Sequence, residues 1–192
     1  MTPTRDQAFA LLKEYSQSES LQKHALAVEG TMRHFSRLFP GEDESLWGIV
    51  GLLHDLDYEQ FPDEHCTKTA SILRAHDIDE LIVRGCASHG YGICSDVEPQ
   101  SLMEKVLYTI DELTGLVNAA AIMRPSKSVM DLELKSVKKK YKDKRFAAGC
   151  DRSLIEAGAQ KIPMVLDDVI EHVILGMREV AEEIGLLGNA DA

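Results

Sequence analysis

The stretch of sequence that decides the fold is Gly48-Ile-Val-Gly-Leu-Leu-His-Asp-Leu-Asp57, an apolar run that closes on a paired imidazole and carboxylate. A run of this kind is typical of a buried helix, and it places His54 and Asp55 at the end of that helix. Burying a charge is expensive unless the charge is paired or coordinates a metal ion. A metal ion is therefore the first hypothesis to test against the rest of the chain.

Composition and charge narrow the class of protein. The net charge of −11 argues against general nucleic-acid binding, although residues 124–152 carry ten Lys or Arg against four Asp or Glu. No apolar run has the length of a membrane span, and the N-terminus lacks the features of a secretory signal. The four cysteines are scattered, which favours reduced, mostly structural thiols. We therefore predict a cytoplasmic protein that does not contact membranes.

Helical periodicity dominates the chain and strand signals are scarce, so the sequence predicts an all-α fold. Proline and glycine residues mark several of the breaks between helices. The predicted helices cover residues 4–16, 18 or 20 to 39, 43–56, 65–75, 79–88, 101–120, 128–146 and 163–184, with a short helical piece after residue 151.

Six His and Asp side chains lie on or beside different predicted helices. They are His24, His54, Asp55, His65, His89 and Asp111. A metal site inside a helical bundle needs such a spread, because its ligands come from several helices that face one interior. Imidazole and carboxylate ligands suit a divalent ion such as Fe, Mn, Zn, Ni or Mg. The absence of cysteine from the set argues against a purely structural zinc site.

The order His, His-Asp, His, His, Asp resembles that of the HD-domain family of metal-dependent phosphohydrolases over roughly residues 20–120. The similar segments are Lys23-His-Ala-Leu-Ala-Val28, Gly51-Leu-Leu-His-Asp-Leu56 and Tyr108-Thr-Ile-Asp-Glu-Leu113. This resemblance implies a single HD-type domain over residues 1–192. Its helical bundle would hold the metal-binding core at about 20–120, and additional C-terminal helices would follow at about 121–192.

The resemblance also implies how the metal is held. His24, His54, Asp55 and Asp111 would bind one divalent ion. His65 and His89 would bind a second ion, with Asp55 as the bridging ligand. Two departures from the family pattern put the second ion in question. Leu56-Asp57 replaces the common Ile-Gly, and Gly90 follows His89 where another histidine or an acid is usual.

The activity implied by the resemblance is hydrolysis of a small phosphorylated substrate, with a nucleotide as the first candidate, by metal-activated water. Besides Asp55, the candidate catalytic residues are Asp57 and Glu59 as bases, and His65 and His89 as acids where they are not ligands. Candidate cations for the substrate phosphate are Lys105, Arg124 and Lys127. The sequence leaves two alternative functions open: a non-catalytic metal-containing nucleotide sensor or binding module, and a di-iron oxygenase. It is also compatible with a homo-oligomer.

Overall fold

The fold was obtained from a computed structural model, which describes residues 1–188. Within that range the chain forms nine α-helices, one short 3-10 turn at Pro62–Glu64, and two isolated β-bridges but no strand. The predicted all-α fold is therefore confirmed. The helices are α1 Arg5–Tyr15, α2 Glu19–Ser36, α3 Glu44–Leu53, α4 Thr67–Ala75, α5 Glu80–Ser88, α6 Leu102–Ile122, α7 Leu134–Lys142, α8 Arg152–Ala159 and α9 Leu166–Glu179.

Helix α2 is the central element, and it packs against α3, α6 and α9. Its approach to α3 depends on Gly51, because a Cβ atom there would lie only 3.0 Å from the carbonyl oxygen of Val28. Close backbone contact at this level brings the C-terminal end of α3 beside the first half of α2. His54 and His24 consequently face each other, with their ring centroids 5.3 Å apart.

The helices after α6 pack against α2 and α6 and complete the bundle. Helix α9 packs on α2 through a second glycine, Gly176, whose added Cβ would lie 2.7 Å from the Cα atom of Thr31. Helices α7 and α8 pack on α6. One hydrophobic core runs through all of these elements, from Leu12 in α1 to Met177 in α9.

The interiors of the predicted helices match the structure better than their ends. The helix predicted over 43–56 ends at Leu53, because the chain turns at His54 and continues through turns to residue 60. The lysine-rich helix predicted over 128–146 covers only Leu134–Lys142. Its first predicted residues pair with the C-terminal segment instead, since Val129 N donates to the Leu186 carbonyl and Ser128 Oγ donates to that of Leu187.

The C-terminal helix is also shorter than the predicted span of 163–184. It begins at Leu166 and ends at Glu179, and the chain then passes through turns up to Gly185. Of the helices in residues 1–188, none is both long enough and apolar enough to cross a lipid bilayer.

Candidate metal centre

The structure brings the six predicted His and Asp side chains together in one cluster between α2, α3, α5 and α6. Four of them face a first position. His24 Nε2 lies 3.0 Å from Asp111 Oδ1 and 3.6 Å from Asp55 Oδ2. His54 Nε2 lies 3.3 Å and 3.4 Å from the same two oxygens. Helix α2 supplies His24 and α6 supplies Asp111, while the turn after α3 supplies the pair.

The other side chains face a second position next to the first. His65 Nε2 and His89 Nε2 are 3.1 Å apart, and they lie 3.4 Å and 3.3 Å from Asp55 Oδ1. His65 is placed just before α4 and His89 at the end of α5. The two oxygens of Asp55 thus face different sets of imidazoles.

The separations between these donor atoms suit metal ions. Two adjacent ligand atoms on an ion with bonds of about 2.0–2.2 Å are about 3 to 3.5 Å apart. The Nε2 atom of His54, whose residue is fully buried, has no hydrogen-bond partner in the described part of the chain. A buried polar atom without a partner is rare in proteins, and a cation at the first position would satisfy it. The residues therefore fit the metal that their types suggest.

Hydrogen bonds at Nδ1 fix the rings of three histidines. His54 Nδ1 donates to the Gly51 carbonyl at 2.8 Å, and His89 Nδ1 donates to that of Cys86. His65 Nδ1 donates to Asp57 Oδ1 at 2.7 Å. Each bond sets the tautomer that leaves Nε2 free to accept a metal ion.

The carboxylates of Asp55 and Asp111 stabilise positive charge within the cluster. Burial lowers the pKa of His54, but the charges of Asp55 and Asp111 outweigh burial and raise that pKa well above its usual value. Burial raises the pKa of each carboxyl, whereas the neighbouring imidazoles outweigh it and hold the pKa of both Asp55 and Asp111 well below the usual range. Both carboxylates are therefore ionised at neutral pH and available to bind cations.

Asp57 and Glu59, the two carboxylates that the sequence offers as candidate bases, are both engaged in other hydrogen bonds. Asp57 is fully buried, and besides His65 its carboxylate accepts a hydrogen bond from Thr69 N at 2.7 Å. It holds His65 rather than facing the open side of the cluster. The Glu59 carboxylate accepts hydrogen bonds from Ser16 Oγ, Gln17 N and Ser18 N. Glu59 therefore closes the connection between α1 and α2, outside the cluster.

A cavity of about 520 Å³ opens on the cluster. Five of the six cluster residues line it, namely His24, Asp55, His65, His89 and Asp111. Apolar and aromatic side chains form much of its remaining wall: Leu21, Tyr58, Ile93, Tyr108 and Leu154. None of the three predicted phosphate-binding cations, Lys105, Arg124 and Lys127, is among the described residues that line it. Arg124 instead forms an ion pair with Asp131 at 2.8 Å, beyond the end of α6.

Two cysteines that no motif in the sequence singles out, Cys66 and Cys94, lie beside the second position. Cys66 Sγ lies 3.9 Å from Nδ1 and 3.8 Å from Nε2 of His89. The donor atoms of His65, Cys66 and His89 lie within 4.8 Å of one another, so Cys66 is close enough to share an ion with the two histidines. Cys94 Sγ lies 3.2 Å from Cys66 Sγ.

These cysteines explain the departure at residue 90. A Cβ atom on Gly90 would lie 2.3 Å from Cys94 Sγ and 2.5 Å from Cys66 Sγ, so the two thiols fill the space that a larger residue would need. Gly90 was thus the one signal in the sequence that could have pointed to the pair. The other missed residue, Glu112, lines the cavity, and burial followed by the charge of Asp111 raises its pKa.

The comparisons with known proteins agree with the geometry. The family model described as HD domain matches residues 21–116, which is half of the chain and contains all six cluster residues. No curated protein and no solved structure matched the chain. On the strength of the family match, the chain belongs to the HD-domain family.

Proposed function

We propose that this protein is a metal-dependent phosphohydrolase that acts on a nucleotide or another small phosphate ester. The observation that carries the proposal is the position of Asp55, whose two oxygens lie 3.3–3.6 Å from imidazole nitrogens of two different sets. A carboxylate between two groups of imidazoles suits a pair of divalent ions.

The residues of the cluster have separate tasks in this proposal. His24, His54, Asp55 and Asp111 would hold one ion, and Asp55, His65 and His89 would hold the other. Bound divalent ions act as Lewis acids on a phosphoryl oxygen and lower the pKa of a water molecule in contact with them. Asp57 keeps the His65 ring in place, and the Gly51 and Cys86 carbonyls do the same for His54 and His89.

The cavity is large enough to hold a small organic group as the remainder of the substrate. Its volume of about 520 Å³ lies within the range of small-molecule sites. Tyr58 and Tyr108 offer aromatic surface, and Leu21 and Leu154 add aliphatic contacts. A nucleobase or a similar flat group would bury apolar area against these side chains.

The test combines metal analysis with an activity screen. Protein purified without chelator is analysed for its metal content, and phosphate release from a panel of phosphate esters is measured with Mn²⁺, Fe²⁺, Zn²⁺, Ni²⁺ or Mg²⁺. Asp55→Asn removes the shared carboxylate charge, so we expect metal to be lost from both positions and turnover to fall by about a thousandfold or more. The control Asp63→Asn changes an exposed carboxylate and is expected to keep the metal content and the activity.

Three outcomes would contradict the proposal. Full metal content and phosphatase activity in Asp55→Asn would show that the shared carboxylate, on which the proposal rests, is not needed. Tight nucleotide binding without turnover under all five metals would favour a sensor. Oxygen consumption by the reduced, iron-loaded protein, in the absence of phosphate release, would favour an oxygenase.

A further inference from the structure

The thiols of Cys66 and Cys94 form a close pair at the wall of the cavity. Their sulfur atoms are 3.2 Å apart, and neither is part of a disulfide. Cys66 is almost fully buried, whereas Cys94 is partly exposed and lines the cavity. A small oxidant that enters the cavity therefore reaches Cys94 first and finds Cys66 directly behind it.

The backbone around Cys66 is strained in a way that sets up this contact. Cys66 has φ 65° and ψ −45°, and Thr67 N donates to the His65 carbonyl at 2.8 Å across it. This is a γ-turn of the positive-φ type, which is rare and strained for a residue with a side chain. Strain of this kind persists only where the surrounding structure determines it. Here the turn places the sulfur between His89 and Cys94.

The segment that carries Cys94 is shaped for the same contact. The backbone N–H groups of Ile93, Cys94 and Ser95 all donate to the Gly90 carbonyl at 3.0–3.1 Å, which curls residues 90–95 into a tight loop. The missing side chain at Gly90 leaves the space that both sulfur atoms occupy. Two separate local structures, the γ-turn and the loop, therefore bring the thiols together.

We infer that Cys66 and Cys94 are a modification site, a thiol pair that a peroxide oxidises to a disulfide beside His89. In the first step the peroxide O–O bond breaks and Cys94 becomes a sulfenic acid, with release of the alcohol or water derived from the peroxide. In the second step the Cys66 sulfur attacks the Cys94 sulfur and water leaves. Two thiols lose two electrons and two protons in total, and the peroxide accepts them.

The required movement is small. A disulfide bond is about 2.05 Å long, so the sulfur atoms approach each other by about 1.1 Å from their present separation. Cys66 directly follows His65 in the chain, and the loop of Cys94 begins directly after His89. The cross-link would therefore join the two chain segments that supply the imidazoles of the second position.

The experiment uses the full-length protein, reduced, freed of reductant and incubated with excess hydrogen peroxide. We expect the intact mass to fall by two hydrogen atoms, peptide mapping to join Cys66 to Cys94, and dithiothreitol to reverse both changes. Cys94→Ser is expected to slow this mass loss by at least about tenfold. The matched control is Cys150→Ser, since Cys150 also lines the cavity but its thiol donates to the Glu112 carbonyl, and this variant is expected to behave as the unchanged protein.

The inference would be overturned by a cross-link that maps to Cys86 or Cys150, or by sulfinic acid at Cys94 without a cross-link. Undiminished loss of two hydrogen atoms in Cys94→Ser would also overturn it. Mapping on the unchanged protein needs no variant, so the test does not depend on how well a substituted chain folds. None of these measurements uses the hydrolytic activity.

Discussion

Asp57 shows how far the role of a single side chain depends on its distant neighbours. It follows His54-Asp55 so closely in the chain that it resembled a water-activating base. Its carboxylate is instead divided between His65 Nδ1 on one oxygen and Thr69 N on the other. A hydrogen bond that holds the outer nitrogen of a metal-binding imidazole fixes the orientation of the ring. We therefore expect Asp57 to be a positioning residue for the second position.

Asp57→Asn tests this assignment. The amide replaces one acceptor oxygen with an NH₂ group, so the contacts to His65 and Thr69 can no longer both be made. We expect the affinity for the second ion to fall by about 10–100-fold while the first ion is retained, as measured by competition with a chromophoric chelator. The exposed Asp63→Asn variant is the control. Equal weakening at both positions would show that Asp57 acts on the whole cluster.

Other residues show what the sequence can and cannot reveal about a site. The order of six side chains in the sequence was enough to predict that the fold brings them together. They are His24, His54, Asp55, His65, His89 and Asp111. Proximity along the chain was a poor guide to the remaining roles. Arg124 pairs with Asp131, and Glu59 bonds to residues more than 40 positions earlier in the chain. Such choices depend on the tertiary structure, which local patterns do not encode.

At the level of elements, periodicity located the helices but long-range contacts decided where they end. The apolar spacing in α3 and α6 is strong, and both helices lie where it predicts them. The lysine-rich helix starts late because Ser128 and Val129 bond to the segment at Leu186, nearly 60 residues away. No sequence pattern near residue 128 predicts that pairing.

One irregular segment, residues 143–150, depends on a single arginine. The Arg152 guanidinium donates to the carbonyls of Ala147 at 2.7 Å and Cys150 at 2.8 Å, and also to that of Phe146. Ala147, Gly149 and Cys150 line the cavity. Because a charged group makes strong hydrogen bonds, Arg152 holds this wall in shape.

We therefore expect Arg152→Gln to loosen the wall without altering the metal cluster. Limited proteolysis within residues 143–150 would become faster, and KM for a phosphate ester would rise by at least about tenfold with kcat changed by less than about twofold. Arg145→Gln is the matched control, because the Arg145 side chain is 94% exposed in the same segment. A fall in kcat at unchanged KM would point to a role closer to the chemistry.

At the level of the whole molecule, the helices after residue 122 share their core with the helices that carry the cluster residues. Arg178 in α9 donates to the carbonyls of Val129 and Leu132, and Gly176 sits against the backbone of Thr31 in α2. His24 lies two turns before Thr31 on the same helix. The C-terminal helices thus support the element on which the first position depends.

Gly176→Ala tests this packing. The added methyl would lie 2.7 Å from the Thr31 Cα atom, so α9 must shift, and we expect a loss of about 1–3 kcal/mol in the free energy of unfolding. Gly115→Ala is the matched control in α6, where a Cβ meets no atom within 4 Å. The better helix propensity of alanine is expected to stabilise that variant by about 0.5–1 kcal/mol. Urea denaturation measures both, and a stabilised Gly176→Ala variant would mean that α2 and α9 are not closely packed.

The cavity is built from two stretches of chain that can change separately. All six cluster residues fall within residues 21–116, whereas Ala147, Gly149, Cys150 and Leu154 belong to a stretch outside the family match. Substitutions in that outer stretch alter the shape offered to an incoming molecule and leave the ligand atoms in place. Exchanging residues 143–154 between related chains would therefore change which molecules the cavity admits while the cluster stays the same.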